Sequence, residues 1–141
     1  MESLYLVARI AGRPVVIDSE QVESVIDLAG VTDVPLAPGH VRGISALRSR
    51  VVTVIDSRAA LGLSPSPEIG RAVITQVDGH HYAVMVEELE DVVPFAANPL
   101  TDGIALDRVW RKAGRGYVER DGEPILIVDV ECLVHGDEKS D

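Results

Sequence analysis

The sequence predicts a mainly β protein, built as two similar small barrels of about five short strands each, with few helices. Three observations carry this. The chain repeats itself, and its apolar runs are short, rich in β-branched residues and separated by turn residues. One phenylalanine and one tryptophan in 141 residues leave valine, isoleucine and leucine to fill the interior. A chain of this length forms a single domain, or two small interlocked lobes, and buries roughly two-thirds of its unfolded surface.

The repeat is read directly. Displaced by 67 positions, residues 6 to 26 lie over residues 73 to 93: Gly12 meets Gly79, Glu20 meets Glu87, Glu23 meets Glu90 and Val25 meets Val92. A second window needs an offset of 73. It sets Arg42-Gly43 over Arg115-Gly116 and the run VVTVID over PILIVD, so that Asp56 meets Asp129. The six additional residues fall in the connector 94 to 114. Between the copies, GLSPSPEIG at 62 to 70 reads as a linker. The single domain 1–141 therefore divides into a first lobe at about 1–61, the linker 62–70, a second lobe at about 71–135 and a polar tail 136–141.

Taken in order, the elements have strand grammar. Val7, Arg9 and Ile10 lead to a turn at Ala11-Gly12-Arg13 before VVI resumes, and the second copy turns at Asp78-Gly79 before HHYAVMV. Both are hairpins. The following segments, DSEQVESVIDL and EELEDVVPF, fit a short amphipathic helix or a further strand equally well. SRAALGL, with helix formers and a glycine stop, predicts a short helix closing the first copy. Residues 41 to 58, VRGISALRSRVVTVIDSR, form another hairpin whose tip is Arg48-Ser49, whereas the repeat has Asp121-Gly122 there. A tight turn made only for folding favours the second spelling, because Asp and Gly accept positive φ. The arginine needs another explanation.

Composition excludes several classes. Thirteen basic against 23 acidic residues give a net charge of −10, which repels nucleic acid and anionic lipid. No apolar run approaches a membrane span, and neither a secretory leader nor membrane insertion is expected. The single cysteine, Cys132, allows no internal disulfide, fits a reducing cytoplasm, and reads as a buried structural residue among apolar neighbours.

No nucleophile elbow, zinc-protease helix motif, phosphate loop or dinucleotide fingerprint is present, so no enzyme activity and no cofactor are expected. His80 and His81 are adjacent on a strand and point to opposite faces, so no metal site is assigned. Asp56 and Asp129 each follow an apolar strand and precede a short helix, where a carboxylate caps free N–H groups. Glu20, Glu23, Glu87 and Glu90 read as solvated faces, with recognition by an acidic patch as the alternative. A small-ligand barrel would need a roomy cavity with convergent polar groups, which valine-rich inward faces do not favour.

Pro38 followed by VRGISALRSRVVTVIDSRAALG resembles the segment of the CheW family that runs approximately P..I.GV.NLRG.I.PV.DLR..L. YLVARIAGRPVVIDSEQVESV resembles the family's first hairpin and following valine-rich element, and PILIVDVECLV its closing strand and short helix. The frame departs at Ser24, where many relatives carry a glutamate, and at Ser49, Thr53 and Ser57.

The resemblance implies two intertwined, five-stranded, SH3-like β-barrel lobes. It also implies a non-catalytic cytoplasmic adaptor that couples the cytoplasmic tips of methyl-accepting chemoreceptors to the regulatory domain of the histidine kinase CheA. A related module in another receptor–kinase pathway is the alternative. Carried over, Arg48 is the arginine of the hairpin turn near the receptor groove, Gly43 permits close backbone approach, and Val22 and Val41 are apolar contact candidates.

Overall fold

The structure, a computed structural model, describes residues 1–100 and 106–136. Ten strands form two five-stranded sheets, with a short helix after the last strand of each copy and another within the second. Hairpins β1 (Ser3–Ile10)/β2 (Arg13–Asp18), β6 (Arg71–Val77)/β7 (His80–Val86) and β9 (Gly114–Arg120)/β10 (Glu123–Val128) turn on residue pairs with positive φ. These are Ala11-Gly12, Asp78-Gly79 and Asp121-Gly122. Such turns match the twist of the flanking strands. The hairpin β4 (Val41–Ala46)/β5 (Val51–Ile55) is different. Leu47 N–H donates to the Arg50 carbonyl at 2.7 Å, and Arg48 and Ser49 keep negative φ. Its turn type makes no demand for glycine.

The open segments resolve toward strand. Residues Ser19–Gln21 form one 3-10 turn before β3 (Ser24–Asp27), while β8 (Glu88–Phe95) is extended throughout. Helix α1 (Ser57–Ala60) ends at Leu61 with Gly62 at φ 85°, as its glycine stop predicts. Helix α2 (Arg108–Arg111), within the connector, went unrecognised because four residues carry no readable period. Helix α3 (Val130–His135) closes the second copy. The tail beyond Gly136 lies outside the described residues.

Strand order explains the repeat. One sheet runs β8-β1-β2-β10-β9 and the other β3-β6-β7-β5-β4. Numbered within their own copies, both sheets have the order third, first, second, fifth, fourth. Each takes its first hairpin from one copy and its other three strands from the other. The copies meet at four seams, the parallel pairs β2/β10 and β5/β7 and the antiparallel pairs β1/β8 and β3/β6. The copies in sequence and the sheets in space are therefore different units.

Alternation within the strands distributes the core over both faces of each sheet. Tyr5, Val7, Val16, Val118 and Ile127 fill the interior of the first sheet, and Val52, Val54, Ile74 and Met85 that of the second. Residues of opposite parity, Leu6, Ile10, Ile17, Ile55, Val73 and Val84, join Trp110 and Leu133 in a third cluster shared by the sheets. That shared cluster holds the two halves together.

The continuous ladders stop short of closing either sheet into a barrel. One backbone bridge narrows each opening: Thr32 with Ile44 in the second sheet, Asn98 with Tyr117 in the first. A side chain on Gly43 would overlap the Thr32 carbonyl oxygen, and one on Gly116 would come within 2.6 Å of the Asn98 oxygen. The repeated glycine thus admits a crossing chain. An ion pair stands at the far end of each opening, Arg50–Glu23 at 3.7 Å and Arg120–Glu90 at 3.4 Å, so these repeated glutamates have a shared position and partner type.

Candidate interaction surface

The strand VVTVI alternates inward and outward because its period is two, and it sends Val52 and Val54 into the core and Val51 and Thr53 outward. Cross-strand pairing sets Val51 opposite Ala46 and Thr53 opposite Ile44, so these four share one face. Val51 is 60% exposed and Ile44 37% exposed. Arg48 lies at the tip of the same hairpin. It is exposed, and among the described residues its side chain has no ion pair or hydrogen bond. The neighbouring Arg50 is held by Glu23.

The hairpin also carries Val41 and Gly43, while the Arg50–Glu23 pair brings its tip beside Val22. The four residues singled out in the sequence thus fall into one region, but their environments differ. Val22 and Val41 are half-buried and pack on the shared core. Gly43 is buried, with φ 152°, and its missing Cβ already accommodates Thr32. Arg48 alone is fully presented. The exposed Ile44, Ala46 and Val51 were missed, although their register opposite the inward valines was the available signal.

The hairpin base is fixed by charge. Asp56, 1% exposed, caps α1 by accepting from Arg58 N–H at 3.1 Å and Ala59 N–H at 3.3 Å. It also accepts from Arg42 and from the backbone N–H and hydroxyl of Ser66, each at 2.9 Å. Burial alone pushes this carboxyl up, but the bonds from Ser66, Ala59 and Arg42 outweigh it and hold Asp56 below the ordinary carboxylate range. Asp129 caps α3 through Glu131 N–H at 2.9 Å and pairs with Arg115 at 3.1 Å. Both aspartates are caps, and both sit beside the arginine of the repeated Arg-Gly pair. Ser66 also ties the linker to the base of the β4–β5 hairpin.

Cys132 is half-buried rather than buried, because its helix end opens onto a groove of about 420 Å³ between α1, α2 and α3. Arg115 donates to its Sγ at 2.7 Å. Burial, and then the Asp129 carboxylate, push the thiol above its usual value against the pull of Arg115. His81 touches Glu23 at 3.1 Å and Gln76 at 3.1 Å, while His80 is exposed. Among the described residues no three His, Cys, Asp or Glu side chains are grouped to hold a metal, and no helix is long and apolar enough to cross a membrane.

Two interlocked sheets with valine-rich interiors, displaying an apolar hairpin face tipped by an unpaired arginine, define a two-lobed β-rich module. A family model for the CheW-like domain matches residues 4–138, and the chain belongs to that family. It is 24% identical over 118 residues to a protein named chemotaxis protein CheW from Thermotoga maritima, covering 83% of this chain and 78% of that one. A chemotaxis protein CheW from Rhizobium meliloti is 28% identical over 112 residues, covering 77% and 72%. The fold is similar to that of the scaffolding protein TtCheW from Thermoanaerobacter tengcongensis. The TM-score is 0.82 at 22% identity, over 99% of this chain and 97% of that one.

Proposed function

We propose that this protein is a non-catalytic cytoplasmic adaptor of chemotaxis, coupling the tips of chemoreceptors to the histidine kinase CheA by binding both. The observation that carries the proposal is the β4–β5 hairpin, which exposes Ile44, Ala46 and Val51 on one face and has Arg48, without a partner among the described residues, at its tip. An apolar face with a charged rim suits recognition by a few central contacts. Membership of the CheW-like family supports the choice of partners, and the names of its relatives support chemotaxis as the setting. In this reading each sheet works as a small SH3-like barrel, with its crossing bridge as the closure, and the chain acts as one domain.

The test is a pull-down of the cognate kinase regulatory domain and of a receptor cytoplasmic fragment with the purified protein. Retention of both supports the adaptor. Retention of neither, at concentrations where a related adaptor from the same cell binds, rules it out.

A further inference from the structure

Five polar or charged side chains are buried among the described residues: His40, Ser45, Asp56, Ser57 and Thr75. Four have a protein partner. His40 reaches the Val134 carbonyl, Ser45 that of Gly30 and Ser57 that of Met85, while Asp56 has its ring of donors. The Thr75 hydroxyl, in a residue 4% exposed, has none among the described residues. A buried hydroxyl without a partner is costly to keep, so its persistence points to something that binds there.

Thr75 lines a notch of about 460 Å³ together with Val22, Gln76, Glu20, Glu23 and Glu131. The repeat provides an internal comparison. At the offset of 67, Glu20, Glu23, Thr75 and Gln76 correspond to Glu87, Glu90, Ala8 and Arg9, and at the offset of 73 Glu131 corresponds to Arg58. The second side is complete in itself. Arg9 lies 3.8 Å from Glu88, Arg120 lies 3.4 Å from Glu90, and Glu87 accepts the Gly12 N–H at 2.9 Å.

The notch side has the opposite inventory. Alanine becomes threonine, arginine becomes glutamine, and the helix arginine becomes a third glutamate. Glu23 is held by Arg50 and His81, but Glu131 meets only His135, at 3.7 Å, and the Glu20 carboxylate has no ion pair among the described residues. On the notch side Arg50 and His81 serve Glu23, and Glu20 and Glu131 have no arginine or lysine partner among the described residues, which leaves that side acidic and polar at its floor.

We propose that this notch receives a lysine or arginine side chain of the protein that docks beside Val22, a reading that rests on the adaptor function above. The cationic head sits among Glu20, Glu131 and the Thr75 hydroxyl, and its methylene stem runs along Val22 and Val77. Charge-assisted bonds would satisfy the buried hydroxyl and offset the mutual repulsion of the carboxylates. A bare metal ion is a poorer occupant, since no metal-holding group is formed among the described residues.

The experiment is a calorimetric titration of the whole protein with the cognate kinase regulatory domain and, separately, with the receptor fragment, each at low and high salt. It compares wild type with the double variant Glu20→Gln/Glu131→Gln and with Thr75→Val. The expected result is a loss of at least about tenfold in affinity for one of the two partners in the double variant, with weaker salt dependence. Thr75→Val should lower affinity for the same partner. Both glutamates are exposed, so the double variant should keep its unfolding midpoint. If Thr75→Val fails to fold, the double variant decides alone. Binding of both partners equally well by wild type and double variant would overturn the notch and leave the adaptor standing. Failure of wild type to bind either would overturn both.

Discussion

The Arg42 guanidinium donates to the Asp56 carboxylate at 2.9 Å, and the equivalent pair in the second copy, Arg115 and Asp129, stands at 3.1 Å. The two pairs differ in burial: the aspartate side chains are 2% and 20% exposed. That difference decides their cost of removal, since donors buried around a lost acceptor cannot turn to water as donors near the surface can. Asp56→Asn should destabilise the fold by about 3 kcal/mol, because an amide NH2 replaces one of two accepting oxygens among buried donors and several bonds are lost or weakened at once. Asp129→Asn should cost about 1 kcal/mol, the worth of a cap. Urea unfolding of both variants checks the order, and equal costs would contradict it.

The same pair gives an acid response. Folding lowers the Asp56 pKa, so its stabilisation is complete above the unfolded carboxylate value, near pH 4, and is lost as pH falls through the still lower folded value. Wild type should therefore lose stability steeply in that acid window. Asp56→Asn should show a shallower decline, measured as unfolding free energy against pH.

Gly43→Ala should destabilise by about 2 kcal/mol or more, since the new methyl meets both an unfavourable φ of 152° and the Thr32 carbonyl. Gly12→Ala, at a positive φ but with open space around it, should cost about 1 kcal/mol. A thermal melt of each variant compares them. A mild Gly43→Ala would mean that the crossing chain moves aside.

Arg48→Glu should leave the unfolding free energy within about 0.5 kcal/mol of wild type, because an exposed side chain without a partner supports nothing in the fold. Affinity for a partner should fall by at least about tenfold. Arg50 is a poor control, since its reversal also places two acids together at Glu23. Arg111 on α2 is exposed and unpaired among the described residues, and Arg111→Glu gives an equal change of charge. Equal binding by both variants would return Arg48 to the ordinary surface charges.

A fragment ending before the linker should not fold. Residues 1 to 61 supply β1 and β2 to one sheet and β3, β4 and β5 to the other, so neither sheet is complete. The shared core is also halved. Circular dichroism of the fragment should show a disordered chain, and mixing it with residues 62 to 141 should restore strand signal. A stable isolated fragment would show that the copies are independent folding units.

Local chemistry made much of this legible. Asp-Gly and Ala-Gly announced three hairpins because few residues accept positive φ, and aspartate between strand and helix announced two caps because free N–H groups require an acceptor there. The offset matches disclose the duplication in the sequence alone. Helix α2 and the extended conformation of β8 were less legible, since short segments rich in valine and glutamate satisfy more than one period. At Cys132 the sequence neighbours misled, because apolar residues in the chain need not close over a helix end that faces a groove.

The sequence by itself determined that there are two copies, where three hairpins turn, and that valine, isoleucine and leucine fill the interior. Tertiary structure decided which copy completes which sheet. Hairpin pairing is written within a few residues, whereas the parallel seams β2/β10 and β5/β7 join residues far apart in the chain, where no local pattern specifies a partner. That exchange places Thr75 of the second copy beside Glu20 and Val22 of the first. It also brings Arg9 of the first copy to Glu88 of the second on the other side, while Glu20 and Glu131 have no arginine partner among the described residues, because each contact depends on which copy completes which sheet.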